Sequence, residues 1–333
     1  MRAITYTRPA TAQAAITAFA QAGEGARYIA GGTTLYDLMK LGIETPAHLV
    51  DVSAIEGLGS IDTGGDVLRF GGMATMADVA RDRVVMERYP LLAEALGKAA
   101  SQQLRNMATV GGNLLQRTRC LYFRNGASGL YPCNKREPGS GCAAIGGLDR
   151  GQALLGQSDA CTAVSPGDWP VALVALDASV EVEGPDGTRT MPVADLYRMP
   201  GDTPHLEFTL RPGEIITAVM VPATAAGRRS TYHKVRDRES YAFALASAAV
   251  ALEMDGETVR EARIALGGVA TVPWRARAAE ALINGAPLTR ERALATGHAA
   301  FADARPGRHN AFKIQLGAEV VADAVMIAAG RAS

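Results

Sequence analysis

Three glycine pairs, each beside the end of a strand-like segment, constrain this chain more than any other feature. They are Gly31-Gly32, Gly71-Gly72 and Gly111-Gly112. Bends of this kind let backbone approach another segment or a ligand more closely than a side chain would allow. The first follows a short strand, Arg27–Ala30, and precedes Leu35, Leu38, Met39 and Leu41 at helical spacing. Before it lie a strand from Arg2 to Tyr6 and an amphipathic helix carrying Ala14, Ala15, Ile16, Ala18 and Phe19; a strand at His48–Val52 follows. The first fifty residues therefore form an α/β unit. Ile29-Ala30-Gly31-Gly32-Thr33-Thr34-Leu35 is its strand-to-helix turn. Backbone N–H groups and threonine hydroxyls there suit a pyrophosphate, although, taken alone, the motif is weak and plain turn chemistry is the more ordinary reading. The turn is not a G-x-G-x-x-G fingerprint, so a Rossmann site is not supported.

A second unit begins near Leu58. Val67–Phe70 is a strand, Gly71-Gly72-Met73-Ala74-Thr75 a bend, and Thr75 an N-cap for a helix at Met76–Ala80. A helical stretch at Leu91–Ala100 leads to the third bend, Thr109-Val110-Gly111-Gly112-Asn113. Residues 117–161 have no clean period and read as an irregular insert. Regular structure resumes at Val171–Leu176 and Ser179–Glu183, with a strand near Ile215–Val221. Small residues at Ala223–Arg229 read as a linker. Beyond it, strands at Thr231–Val235 and Arg260–Leu266, a helix at Phe243–Leu252 and Ala-rich helices make a C-terminal α+β domain. The expected division is 1–57, 58–225 with the insert, and 230–333, a reasonable partition for 333 residues.

All four cysteines, Cys120, Cys133, Cys142 and Cys161, fall inside the insert, separated by 12, 8 and 18 residues. Four readings are open. Disulfides are uncommon in cytosolic proteins. Structural zinc sites usually contain close C-x₂₋₄-C pairs, which are absent. A [4Fe–4S] cluster takes four thiolates from well-separated loop positions. Unlinked core cysteines fit poorly with the polar, glycine-rich flanks. Arg117, Arg119, Arg124, Lys135 and Arg136 could offset the charge of an anionic centre, helped by N–H groups near Gly139–Gly141.

Lys+Arg and Asp+Glu both number 34, so no general attraction to nucleic acid or anionic membrane follows. No apolar run is long enough for a transmembrane helix. The N-terminus lacks the basic-then-apolar order of a secretory signal, so the expectation is a cytoplasmic chain, or a periplasmic one exported with a signal-bearing partner. His48, His205, His233, His298 and His309 are scattered and read as non-catalytic.

Taken in order, AGGTTL (30–35), FGGMAT (70–75), RNMATVGGNL (105–114), SPGDWPVALVALDA (165–178), RPGEIITAVMVP (211–222), YHKVRDRESYAFALASAAVAL (232–252) and ALGGVATVPWRA (265–276) resemble the FAD-binding subunits of the xanthine dehydrogenase and carbon monoxide dehydrogenase family. The resemblance spans nearly the whole chain. The insert is similar to that of the flavin subunit of periplasmic aldehyde oxidoreductases, where four such cysteines hold a [4Fe–4S] cluster. GGMATM departs from the family's usual GAxT-T pattern.

The resemblance implies a fold: two α/β subdomains of the vanillyl-alcohol-oxidase (PCMH) type clamping FAD, plus a C-terminal α+β domain of the CO-dehydrogenase-flavoprotein type. It implies that Ile29, Ala30, Gly31, Gly32, Thr33, Thr34 and Leu35 wrap the pyrophosphate and ribityl chain. Gly72 and Met73 would line the same groove, and Thr109, Gly111, Gly112 and Asn113 would approach from the second subdomain. Asp168 would accept from a sugar hydroxyl, unless it is only a helix N-cap. Ile215 and Ile216 would pack near the adenine or ring. Lys234 would sit by the isoalloxazine, unless it is an exposed strand lysine. Tyr122, Tyr197 and Tyr241 are candidates to cover the ring. Cys120, Cys133, Cys142 and Cys161 would bind the cluster. The implied partners are a molybdenum-cofactor large subunit that oxidises the organic substrate, a small subunit with two [2Fe–2S] clusters, and an external electron acceptor. The rival readings are a self-contained FAD oxidase and a zinc-stapled scaffold without flavin.

Overall fold

The computed structural model describes residues 3–125 and 129–331, so Arg2 of the first expected strand lies outside the described residues. The first unit contains β1 (Thr5–Thr7), α1 (Ala12–Ala22), β2 (Ala26–Ile29), α2 (Leu35–Lys40) and β3 (His48–Asp51). Its strands run parallel in the order β1-β3-β2. Thr11 starts α1 by accepting a hydrogen bond from Ala14 N–H at 3.2 Å. The helix lays Ala15 and Ile16 against Val50 and Val52, and Ile215 from the next unit closes this small core. Phe19 stacks on Tyr28 with centroids 4.5 Å apart, and Tyr28 Oη donates to the Gly213 carbonyl at 2.9 Å. The first unit is thus fastened to the second by both packing and a hydrogen bond.

The second unit contains β4 (Ile61–Asp62), β5 (Val67–Gly71), α3 (Met76–Arg81), α4 (Arg83–Arg88), α5 (Pro90–Lys98), α6 (Gln102–Arg105) and α7 (Val110–Leu114). After the insert, which includes α8 (Leu121–Arg124), come α9 (Trp169–Ala175), β6 (Ser179–Gly184), β7 (Gly187–Pro192) and β8 (Ile215–Pro222). The sheet is antiparallel in the order β4-β5-β8-β6-β7. Thr75 caps α3 as expected, accepting from Asp78 N–H at 3.1 Å. Every residue of α9 is buried, which is why its sequence is apolar all round. Beside it α5 places Leu91, Leu92, Ala95 and Leu96. That helix stops at Lys98 rather than Ala100, and Ala100 sits at φ +48°. The expected linker Ala223–Arg229 is a packed crossover. Ala226 is buried, and a Cβ on Gly227 would lie 2.7 Å from the Arg88 carbonyl. Small residues there serve close packing, not looseness.

The third unit contains β9 (Ser230–Val235), β10 (Ala246–Asp255), β11 (Thr258–Gly267), β12 (Trp274–Arg275), α10 (Arg277–Ile283), β13 (Ala286–Pro287), α11 (Arg290–Ala300) and α12 (Phe312–Ala329). Its sheet is antiparallel, ordered β12-β11-β10-β9. One expectation fails here. Phe243–Leu252 does not form a helix; Ala246–Asp255 is the central strand. Ala249 and Ala251 face the core built by α5 and α9. Ala248, Val250 and Leu252 face the opposite core, with α12. Burial on both faces erases the polar–apolar alternation that marks a strand, and the small side chains needed between two layers imitate a helix-forming run.

Lys313, near the start of α12, is 1% exposed. Its Nζ donates to the Gly268 carbonyl at 2.9 Å and to Gln152 of the insert at 3.4 Å. Burial draws this lysine down to about 8. Below that pH both folded and unfolded chains carry the charge, and its desolvation cost is fully present. Between about 8 and about 10.4 the folded chain releases the proton first, so stability rises with pH, by about 3 kcal/mol over the whole interval. Urea unfolding at pH 7.5 and 9.5 reads this slope, and Lys313→Met should flatten it. An equal slope in both proteins would assign it elsewhere.

Candidate functional site

The three units meet around one groove of about 720 Å³, within the range of small-molecule and cofactor sites. Apart from two of the three tyrosines offered to cover the ring, the residues named above as flavin contacts line it: Ile29 through Leu35, Gly72, Met73, Thr109, Gly111, Gly112, Asn113, Asp168, Ile215, Ile216 and Lys234. The glycine bends occupy it in two different ways. At the first, the N–H groups of Gly31, Gly32, Thr33 and Thr34 find no acceptor among the described residues. Gly32 adopts φ +72°. Consecutive unspent N–H groups at a strand-to-helix turn form an anion-binding concavity.

The N–H groups of the other two bends are spent inside the protein: Gly71 donates to the Ser60 carbonyl at 2.8 Å, Gly72 to Thr217 at 2.8 Å and Met73 to Leu58 at 2.7 Å. Gly111 N–H donates to the Gly72 carbonyl at 3.0 Å, and Val110 N–H to Ala74 at 2.9 Å. Gly112 N–H goes to Thr109 Oγ1 at 3.1 Å. A Cβ on Gly72 would lie 2.2 Å from the Ile216 carbonyl, and one on Gly111 3.0 Å from Gly72 Cα. These glycines build the wall by close approach of backbones. Asn113 behaves differently again: its Oδ1 is buried without a hydrogen-bond partner among the described residues. A ligand hydroxyl would satisfy it, so the groove supplies both phosphate-directed donors and an acceptor for a polyhydroxyl chain.

Asp168 and Lys234 act as a unit. Lys234 Nζ lies 2.8 Å from Asp168 Oδ2, with side-chain exposures of 1% and 6%. Tyr232 Oη donates to Asp168 Oδ1 at 2.5 Å, and Lys234 also donates to the Lys98 carbonyl at 3.0 Å. Burial pushes the Asp168 carboxyl up, against the pull of Lys234. Asp168 occupies the N-cap position of α9 but makes no side-chain capping bond; its carboxylate is turned to Lys234 and Tyr232 instead. Lys234 is not an exposed strand lysine.

Tyr241 lies at the groove with φ +52°, and Arg238 stands 5.7 Å from its ring. Tyr197 is turned away, donating to the Leu114 carbonyl at 2.9 Å. Tyr122 belongs to the insert, where its Oη accepts from Leu148 N–H at 2.6 Å. Sequence reasoning missed Leu58, Met76, Ala99, Leu104 and Phe243 as groove residues. Phe243 was hidden by the mistaken helix. The others carry no local signal, because only the packing of three units brings them together.

The four cysteines are free thiols and line one small cavity together with Phe123 and Lys135. Cys133 and Cys142 face each other across an isolated bridge, and Cys161 pairs with Ser158. No group of three His, Cys, Asp or Glu among the described residues is placed to hold a metal ion. The free volume between the thiols, about 10 Å³, is roughly that of one water. By kind the donors match a thiolate-bound cluster; by space, seating one requires the thiols to move outward. Burial pushes Cys161 up to about 11, with Lys135 pulling it back, and raises Cys120 as well.

The flanking cations are mostly spent elsewhere, contrary to expectation. Arg117 pairs with Glu44 and Glu207, Arg119 and Arg124 with Asp37. Arg136 donates to the carbonyls of Tyr122 and Phe123. Gly141 N–H is used by Asn134 Oδ1 at 2.8 Å.

Residues 2–224 match the family described as the FAD binding domain in molybdopterin dehydrogenase. The chain belongs to this family. Residues 230–328 match the CO dehydrogenase flavoprotein C-terminal domain, so the two matches part at the packed crossover. The chain is 48% identical over 337 residues, with 100% of both chains covered, to the aldehyde oxidoreductase FAD-binding subunit PaoB of Escherichia coli K12. It is 29% identical to the carbon monoxide dehydrogenase medium chain of Hydrogenophaga pseudoflava, covering 90% of this chain and 87% of that one. The solved structure of carbon monoxide dehydrogenase from that organism, lacking the Mo-pyranopterin moiety, superposes with a TM-score of 0.78 at 28% identity, covering 100% and 99% of the two chains.

As a member of this family the chain is an FAD-binding, electron-transferring oxidoreductase subunit of the molybdenum hydroxylases. No helix among the described residues is long and apolar enough to cross a membrane.

Proposed function

We propose that this chain is the flavin subunit of a heteromeric, molybdenum-dependent aldehyde oxidoreductase. The partners would be a molybdenum-cofactor large subunit and a [2Fe–2S] small subunit. The supporting relative is the aldehyde oxidoreductase subunit, matched end to end at 48% identity. The observation that carries the reading is the groove itself, where unspent N–H groups at Gly31–Thr34 and the orphaned Asn113 Oδ1 face one continuous space. When bound, FAD supplies the centre that collects electrons from the small subunit and gives them to an external acceptor.

The chain's own residues position that cofactor. The turn 31–34 holds the pyrophosphate with backbone N–H groups. Gly72, Met73, Gly111 and Gly112 shape the opposite wall, and Thr109 fixes its bend. Asn113 accepts from the ribityl or a sugar hydroxyl. Ile215 and Ile216 exclude water beside the planar parts. Asp168 holds Lys234 at the ring end, and Tyr241 covers the ring from the rim. Cys120, Cys133, Cys142 and Cys161 hold a [4Fe–4S] cluster in the insert. The supporting observation is that four unpaired thiols, far apart in sequence, converge on one cavity.

Purification of the chain anaerobically with its partner subunits tests this. The expected preparation is yellow-brown and holds no stoichiometric zinc; its iron and acid-labile sulfide exceed what the partner's [2Fe–2S] clusters supply, and Cys133→Ser removes that excess while the flavin chain and the partner's clusters remain. A colourless chain with zinc would establish the scaffold reading instead. Turnover of an aldehyde by the isolated chain would establish a self-contained oxidase.

A further inference from the structure

Helix α2 grows directly out of the turn at Gly31–Thr34, and the cysteine segment grips it from the other side. Asp37 Oδ2 accepts from Arg119 Nη1 at 2.9 Å and from Arg124 Nη1 at 2.6 Å. These arginines flank Cys120 in the chain. Arg124 is fixed further, donating from Nε to the Thr118 carbonyl at 2.9 Å and from Nη2 to Arg117 at 3.2 Å. The next residue along, Leu38, is buried in one cluster with Phe123, Cys133 and Cys120. A parallel tie runs through Glu44, which takes Arg117 at 2.7 Å and Arg27 at 3.1 Å.

A helix of six residues is too short to hold its own position. Its place is set by what grips it, and the residues just before it are the unspent N–H groups of the groove. Asp37 and Leu38 therefore sit between two sites, one residue apart, touching the shell of the thiol cavity.

We propose that Asp37 is a positioning residue that carries the state of the four-cysteine cavity, through Arg119 and Arg124, to the turn that binds the FAD pyrophosphate, so that a metal centre in the cavity tightens FAD binding. The proposal rests on the flavin and iron–sulfur reading above. A bound centre fixes the loops that present Arg119 and Arg124, these fix Asp37, and the turn is held with its N–H groups converging. Emptying the cavity frees the arginines, and the turn loses its brace. Coupling of this kind is reciprocal, so FAD must equally favour retention of the metal. Asp37 is 40% exposed at its side chain, which places the effect at the lower end of the usual 5- to 150-fold range, about tenfold.

The test uses the full chain, stripped of flavin, with or without iron. FAD affinity is read from quenching of flavin fluorescence, and the environment of the bound flavin from its visible circular dichroism. Iron-loaded wild type is expected to bind FAD about tenfold more tightly than iron-stripped wild type. Asp37→Ala should bring the loaded chain down to the stripped value and change the stripped chain little, while iron content stays constant. Asp37→Asn keeps the side-chain shape and should repeat the result, which separates lost charge from misfolding. Asp37→Glu should recover part of the affinity. Equal losses with and without iron would make Asp37 an ordinary structural residue and overturn the relay. Indifference of the wild type to iron would overturn it too. A chain that takes up neither iron nor flavin would overturn the underlying reading and the relay together.

Discussion

Gly31→Ala is expected to give a chain that folds but purifies with less than about a tenth of the wild-type flavin, a loss of at least about 1.4 kcal/mol in binding. The added Cβ would stand 1.7 Å from the Met107 carbonyl oxygen and 2.7 Å from its carbon. Neither partner is a flexible side-chain end; both are backbone. The turn 31–34 and the segment 107–108 must separate by more than an ångström, which lifts the first unit from the second along the groove floor. Overpacking of this kind costs about 1–3 kcal/mol of stability, and the N–H groups of the turn no longer converge on one anion. Gly97→Ala is the control. Gly97 lies in α5, and its Cβ would meet nothing within 4 Å. Removing a helical glycine there should leave flavin content unchanged and raise stability by up to about 1 kcal/mol. The readouts are the ratio of flavin to protein absorbance and the thermal midpoint. Full flavin occupancy in Gly31→Ala would mean that the close approach at Met107 does not set the geometry of the turn.

The contrast among the three glycine bends also marks how far the sequence was legible. Their positions beside strand ends were readable, because loss of a side chain at a bend leaves a local trace. Their different tasks were not. Whether an N–H is spent on Gly72 or left facing the groove depends on segments about 40 residues away. The helical cap at Thr75 was local as well, and it formed. The strand at Ala246–Asp255 was misread because its two faces belong to two cores, so its pattern records layers the sequence cannot order. The arginines around the cysteines illustrate the same limit. Composition places cations beside thiols, but their partners Asp37, Glu44 and Glu207 come from other units. The groove candidates line one cavity, since each sits in a short segment that keeps its own bend, strand or helix end. What the sequence concealed was the apolar lining between them and the bond that joins Asp168 to Lys234.

That bond underlies the largest single effect on stability. Lys234→Met should destabilise the chain by about 3–5 kcal/mol at neutral pH, because it leaves the Asp168 carboxylate buried without its ion-pair partner, answered by the Tyr232 hydrogen bond and the weaker pull of Arg236. The loss should depend on pH in a defined direction. Burial already raises the folded Asp168 above its ordinary value, and loss of the lysine raises it further. In the unfolded chain the carboxyl titrates near 3.9. Below that pH both states hold the proton and the variant is nearly normal. As pH rises through the folded carboxyl's titration, the unfolded chain has already released its proton, and the deficit grows toward its full value. Asp168→Asn combined with Lys234→Met removes both charges and should recover most of the loss. Urea unfolding of the wild type, the two single variants and the double variant at pH 5 and pH 8 completes the cycle. A pH-independent loss, or a double variant as unstable as Lys234→Met, would show that packing rather than charge dominates. The same pair bears on the flavin. Lys234 meets the groove with a carboxylate 2.8 Å behind it, so the field it projects is that of a neutral pair, not of a lone cation. Asp168→Asn should therefore raise the potential of bound FAD and Lys234→Met lower it, each by about 30 mV for about 1.4 kcal/mol of altered interaction. Opposite signs from two members of one ion pair are what charge at the ring end requires; shifts of the same sign would place the pair too far from the ring to act on it.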